Sequence, residues 1–455
     1  MSRWDWPAWA RPTDVVDLLR LASPIAVSRA SMMLMGLTDT IVLSRNAPEE
    51  LPYILNSWLP LGICLGVAIG LLLGVSILTA EMAGRGEQED TGRIFRRGVW
   101  LSLFFGGIAT VVVYFGAGPL FQALRFEGAL LAGVTSASEI MAYGIAAHML
   151  STAAGNYLEA LRRPIFVSVV MYFGVVVNLG FDLAFVSGFW GMPQLGADGV
   201  AIATSGTRWF ITALLFVAVF LATPGFKRSK PAPKGEARHQ IELGYGMAAS
   251  SIAEWGAFNF TFVIATWISL VAGTLYGMVI HTIGFVFMAF LGIGTATSVR
   301  VAEALGRNES QNAQNAARLG VVTSILVGAM CALVMYFGSD RVANVFVSTD
   351  EVLNAVQLHP ALSGLVAFSA MVVIFDGLQN VASMASRALG AVWSPSVVHI
   401  TSYIFIMLPL AWYFGLHLEQ GVGGVVMGVL IASCLAGITQ VILLEYLSRR
   451  KVAAS

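Results

Sequence analysis

Apolar residues run along this chain in blocks rather than in alternation, each block long enough for a helix to cross a bilayer, which takes roughly 17 to 25 residues. Twelve such blocks are read, at 18–43, 58–81, 97–118, 134–160, 165–187 and 196–222, then at 243–272, 277–302, 317–338, 360–386, 396–416 and 421–447. Inside lipid every backbone polar group must be satisfied within the segment or within a closed barrel, so apolar runs of this length predict helices. The polar stretch 223–241, TPGFKRSKPAPKGEARHQI, has the prolines and charge of a linker. It divides the chain into an N-lobe, 18–222, and a C-lobe, 242–447, flanked by a segment 1–17 and a tail 448–455. The first segment carries Trp4, Trp6, Trp9, Arg3 and Arg11. It reads as an interfacial aromatic anchor that leads straight into the first span, not as a signal peptide.

Composition narrows the class. Of 455 residues 57% are hydrophobic and 11% charged, against roughly 25% charged in a soluble domain. A soluble enzyme, a disordered chain and a nucleic-acid binder are excluded. The 26 basic residues balance 26 acidic ones, so information lies in their placement. Twenty-one of the basic residues fall in alternate breaks or at the two ends, including Arg20, Arg85, Arg163, Lys227, Arg300, Arg387 and Arg449; only Arg45, Arg125 and Arg341 fall in the others. Because Lys and Arg accumulate on the cytoplasmic side, both termini and the linker are expected there, in a plasma or inner membrane. Cys64, Cys331 and Cys434 each lie in an apolar run, without zinc-site spacing, and read as packing residues.

Shifting one half against the other by 222 residues aligns 75–99 with 297–321 at nine of 25 positions, among them Glu81/Glu303, Gly84/Gly306, Arg85/Arg307 and Arg96/Arg318, and Gly70/Gly292 continue the register. Six spans per half is an even number, so the halves point the same way. The expected fold class is an all-α polytopic membrane protein of twelve transmembrane helices, in two six-helix lobes related by a pseudo-two-fold axis along the membrane normal, the parallel-repeat plan of secondary transporters.

A charge in the bilayer costs on the order of 3 kcal/mol or more, so each one that persists needs a partner, a cavity or a role. Asp39 ends the first span, Asn178 and Asp182 stand at i and i+4 in the fifth, and Thr204 follows in the sixth. At about 1.5 Å per residue they lie at similar depths and can meet. Their oxygens suit a hard cation such as Na⁺, while a buried carboxylate can instead hold a proton. In the second half, Glu254 and Asp376 also agree in depth, and Gln379, Asn380 and Ser383 extend a polar face from Asp376. The 222 offset sets Thr261 opposite Asp39 and Met32 opposite Glu254, so the acids do not repeat and the two lobes are expected to do different chemistry. Arg29 and Arg208 are candidate charge partners, Arg29 for Glu159 or Asp182. His281 is a candidate proton relay, with packing the stronger reading. No nucleophile–base triad, phosphate loop or HExxH is present, and no cofactor is expected.

These residues carry a family resemblance. LASPIAVSRASMMLMGLTDTIVLSR resembles the first span of the multidrug and toxic compound extrusion (MATE) family, LGIGTATSVRVAEALGR is similar to its repeat signature with Ala302–Glu303 where Gly–Gln is usual, and FDLAFVSGFWGMPQLGADGVAIAT resembles its hairpin between spans 5 and 6. The A-L-R-G-x-G expected after span 4 is shortened here to ALRRP. The resemblance implies a secondary antiporter, not an enzyme, that exports amphipathic or cationic small molecules while H⁺ or Na⁺ runs inward by alternating access. It matches Asp39, Asn178, Asp182 and Thr204 to an N-lobe cation site, and Glu254 and Asp376 to C-lobe acids. Membrane lipid surrounds such a chain, no nucleic-acid partner is expected, and a monomer is. The alternative in the same superfamily is a lipid-linked oligosaccharide flippase, which should show a basic cavity; here Arg29 and Arg208 stand against four acids.

Overall fold

In the computed structural model, residues 12–348, 352–353 and 356–454 are described, so the aromatic anchor expected at Trp4, Trp6 and Trp9, with Arg3 and Arg11, lies outside them. Each apolar block is a helix, and several run well past the edges read from the sequence. The first half contains α1 (Pro12–Asn46), α2 (Leu51–Leu71), α3 (Leu73–Gly84), α4 (Gly92–Ala123), α5 (Gly128–Ala160), α6 (Pro164–Phe185) and α7 (Gly196–Ala222). The second contains α8 (Glu236–Ile268), α9 (Leu270–Gly306), α10 (Ser310–Phe337), the short α11 (Ser339–Phe346), a two-residue hairpin of β1 (Val352–Leu353) and β2 (Val356–Gln357), and α12 (Leu358–Ala388). The eleventh span starts as α13 (Ser394–His399), passes through π-helical turns at Ile400–Met407 and Tyr413–His417 on either side of α14 (Leu408–Trp412), and is followed by α15 (Gly421–Ala453).

Among the described residues eleven segments are long and apolar enough to cross a membrane; α8, which carries Glu254, is the further long helix that completes twelve. Trp100, Phe115, Leu221, Phe337 and Phe405 are largely exposed, an apolar surface that suits lipid and not water. Helix boundaries follow local chemistry. Pro164 opens α6, where its missing N–H would have no partner in any case. Ser269, the one residue between α8 and α9, caps α9 by accepting the Ala272 N–H at 3.0 Å. The second span breaks at Leu72, and the Asn156 side chain donates to that carbonyl at 3.0 Å.

The chain packs into two compact units, Val27–Ala248 and the residues up to Ala26 together with those from Ala249. Two helices are therefore shared: α1 passes from one unit to the other after Ala26, and α8 does so after Ala248. These positions are themselves 222 residues apart. In the first unit α8 begins against the second span. A Cβ on Gly70 would stand 2.5 Å from the Ala248 Cα, a distance only glycine allows. In the second unit α1 begins against α9, and a Cβ on Gly292 would stand 2.8 Å from the Ala26 nitrogen. The repeat thus pairs both the glycines and their partners.

Charges tie down the same helix starts. Arg93 and Arg97 of α4 hold the Glu236 carboxylate at 2.8 and 3.0 Å, and Arg97 also donates to Gln240 at 2.8 Å. In the other unit Arg300 of α9 donates to the Asp14 carbonyl at 2.7 Å and pairs with Asp17 at 3.4 Å. Each unit is built around one buried helix. In the first it is α5, buried through most of Ser138–Ala160; in the second it is α12, buried without interruption from Asp376 to Ala388.

Candidate functional site

The first unit brings four residues from three helices together. Asn178 and Asp182, one turn apart on α6, face the last turns of α1, and the Asn178 amide donates to Asp39 Oδ1 at 2.5 Å and to Asp182 Oδ2 at 2.9 Å. From α7 the Thr204 hydroxyl donates to Asp39 Oδ2 at 3.1 Å. All four side chains are buried. Both amide protons of Asn178 are used, which leaves its Oδ1, together with Asp182 Oδ1, as buried acceptors with no hydrogen-bond partner. A full account of donors and acceptors therefore ends in a deficit of positive charge or of hydrogen.

The second unit reaches the same arrangement from other helices. Gln379 on α12 donates to Glu254 Oε1 of α8 at 2.8 Å and to Asp376 Oδ1 at 3.2 Å, and its own Oε1 is a buried acceptor without a partner. In each unit one side-chain amide thus bridges two buried carboxylates. Asn178 and Gln379 are not equivalent under the 222 offset, yet each donates to two buried carboxylates. Asn380 does not join the pair by hydrogen bonds. Its Oδ1 faces Gly294 of α9, where a Cβ would approach to 2.8 Å.

Arg29 pairs with Glu159, Nη2 to Oε2 at 3.1 Å, and Glu159 is the partner the sequence suggested beside Asp182. Arg208 makes no ion pair among the described residues. Its guanidinium lies 5.5 Å above the Trp58 ring, with Nη1 buried and unpartnered, one turn along α7 from Thr204. It interacts electrostatically with Asp39. His281 is exposed, and no hydrogen bond links it to either acid pair.

Sequence reasoning missed several groups. Arg387 was counted with the loop basics because it falls one residue past the block 360–386; α12 continues through it, and the side chain is fully buried. Its Nη1 donates to the Val392 carbonyl at 2.7 Å and its Nη2 to Ser250 and Ser396 at 2.6 and 3.1 Å, with no carboxylate in ion-pair contact among the described residues. It interacts electrostatically with Glu254. Tyr403 reaches Asp376 Oδ1 at 3.4 Å. Two buried histidines, His148 beside Arg208 and His399 beside Arg387, have ring nitrogens without a partner.

The class these features define is a polytopic helical membrane protein with an amide-bridged acid pair buried in each of two units. Residues 24–184 and 247–413 match the MatE family, and the chain belongs to it. It is 35% identical to the probable multidrug resistance protein NorM of Caulobacter vibrioides, over 93% of this chain and 90% of the relative. To the multidrug resistance protein PmpM of Pseudomonas aeruginosa it is 26% identical, over 89% and 84%. Among solved structures, one described as the outward-facing conformation of a multidrug resistance MATE family transporter superposes with a TM-score of 0.84 at 18% identity, covering 97% of this chain and 96% of the other. A transporter of the same superfamily from Pyrococcus furiosus gives 0.85 at 18%, over 97% and 96%. These likenesses show the fold. Membership of this family makes the chain a transporter and not an enzyme.

Proposed function

We propose that the protein is a multidrug exporter that moves amphipathic, often cationic, small molecules outward in exchange for H⁺ or Na⁺ by alternating access, with Asp39, Asn178, Asp182 and Thr204 as one coupling site and Glu254, Asp376 and Gln379 as the other. The observation that carries the reading is the pair of buried acceptor deficits, Asn178 Oδ1 and Asp182 Oδ1 in one unit and Gln379 Oε1 in the other. A group of oxygens in a low-dielectric interior, short of hydrogens and rich in carboxylate, is stabilised by a small cation, either a proton on a carboxylate or Na⁺ among the oxygens. The names of the curated relatives support drugs as the cargo.

Exchange follows if cargo and cation favour different conformations, since each then drives the equilibrium that the other opposes. The Pro24 in α1 gives that helix a point of low bending resistance below Asp39. In this reading the transporter sits in the plasma or inner membrane as a monomer with both termini in the cytoplasm.

The test is efflux of ethidium, a monovalent aromatic cation, from proteoliposomes under an imposed Na⁺ or pH gradient, with wild type, Asp39→Asn and Asp376→Asn. Export that follows one gradient and fails in one variant names the ion and the coupling unit. Folded, oriented protein that moves no dye under either gradient overturns the reading and brings the lipid-linked oligosaccharide flippase forward.

A further inference from the structure

Among the described residues each unit contains one buried arginine that no carboxylate neutralises by contact, Arg208 in the first and Arg387 in the second. Among the described residues, the buried charged side chains of the first unit are Asp39, Asp182, Glu159 and Arg208, and those of the second are Glu254, Asp376, Arg387 and Glu303. Glu159 is paired with Arg29, and Glu303 stands three residues from the end of α9. Setting these aside, two carboxylates and one guanidinium remain in each unit. His148 and His399 interact electrostatically with the two arginines and enter the count as uncharged imidazoles.

We infer that Arg208 and Arg387 are built-in counter-cations that set the capacity of each amide-bridged acid pair at one monovalent cation. This rests on the coupling role proposed above and deepens it. With both carboxylates ionised and the arginine fixed in charge, which a guanidinium is in proteins, each unit carries one net negative charge in a medium where an uncompensated charge is costly. One H⁺ or one Na⁺ brings it to neutrality; a second would leave it positive.

The geometry suits fixed counter-charges rather than ordinary ion pairs. Arg208 is held by the Trp58 ring face at 5.5 Å, and Arg387 by two serine hydroxyls and a carbonyl. Neutral partners keep each guanidinium charged and in place without binding the carboxylates that the transported cation must reach. The two arginines are not related by the 222 offset: position 430 is Leu and position 165 is Ile. What the two halves share is the sum of charge, reached by different side chains.

The experiment is cation-dependent thermal stabilisation of the purified full-length protein, which needs no cargo. The unfolding midpoint is followed against NaCl at pH 9, with choline chloride holding ionic strength, and against pH in Na⁺-free buffer. Whichever cation stabilises the wild type, Arg208→Gln is expected to be stabilised at a concentration at least tenfold lower, because a repelling charge is gone, and Arg208→Lys to behave as wild type. Asp182→Asn, left with one carboxylate and one arginine, is expected to lose the contribution of its unit, and Asp182→Asn with Arg208→Gln to regain it. The same loss and rescue is expected for Glu254→Gln alone and with Arg387→Gln, so a variant that fails to fold in one unit leaves the other as the test.

A merely structural arginine predicts no rescue. The inference is overturned if the double variants match the single acid variants, if Arg208→Gln leaves the cation dependence unchanged, or if neither cation stabilises the wild type. Failure of dye export with the rescue intact would instead count against the export reading alone.

Discussion

The ion pair between Arg29 and Glu159 gives a quantitative test of how this protein tolerates charge in its interior. Nη2 and Oε2 are 3.1 Å apart, the glutamate side chain is 0% exposed and the arginine 19%. At that separation and an effective dielectric of about 20, the Coulomb attraction is on the order of 5 kcal/mol. Much of it is offset by the desolvation both groups have undergone, so the pair adds little net stability. Removing one partner alone is different. Glu159→Gln leaves a mostly buried guanidinium without compensation and should cost about 3–5 kcal/mol. For a cooperative unit of roughly 200 residues this lowers the melting temperature by on the order of 10 °C. Replacing both, Arg29→Met with Glu159→Leu, removes the charge and its desolvation together and should melt close to wild type. The assay is thermal unfolding of detergent-purified protein read by gel filtration. A Glu159→Gln variant within about 2 °C of wild type, or a double variant that falls as far as the single one, would refute the account.

Three further outcomes follow from other contacts. Gly70→Ala places a Cβ 2.5 Å from the Ala248 backbone, whereas Gly36→Ala meets nothing within 4 Å; the first should lose about 1–3 kcal/mol or fail to give a monodisperse peak, and the second should not. Glu236 lies outside the spans, where burial pushes its carboxyl up but the hydrogen bonds from Arg93 and Arg97 outweigh that and hold it below the ordinary value. A depressed carboxylate lends stability that is complete above its unfolded pKa, about 4.3, and lost as pH falls through the folded value. Trypsin cleavage after Arg228 and Lys234 should therefore be slow at pH 8 in wild type and faster in Glu236→Gln; equal rates would show that the ion pairs do not restrain the linker. Gln379→Met deprives two buried carboxylates of their shared donor and should cost about 1–3 kcal/mol with loss of cation-dependent stabilisation, while Tyr403→Phe, which gives up one contact of 3.4 Å, should change stability by less than about 0.5 kcal/mol.

Much of this structure is legible in the sequence. Apolar block length locates the helices, since lipid leaves the backbone no other solution. Rise per residue puts Asp39, Asp182 and Thr204 at one level, and Glu254 and Asp376 at another, and both groups do meet. The rest escaped for identifiable reasons. Arg387 sits at the edge of an apolar block, and nothing local says that α12 continues and that Ser250 and Ser396 close over it. His148, His399 and Tyr403 are single polar residues in apolar runs, with no spacing that announces them. Comparison at a fixed offset finds residues that repeat in place, as Gly70 and Gly292 do. It is blind to two amide-bridged acid pairs assembled from non-equivalent positions, as those around Asn178 and Gln379 are.

The sharing of α1 and α8 between units also bears on synthesis. Residues 12–26 leave the ribosome before the rest of their unit, and their packing partner in α9 emerges more than 250 residues later. The unit Val27–Ala248 can close as soon as the start of α8 has been made, and it is completed by residues that lie beyond the linker. The other unit needs both ends of the chain. A cut at residue 223 would therefore yield two fragments, each missing a piece of itself and carrying a piece of its neighbour, and neither half should mature until the other is present in the same membrane.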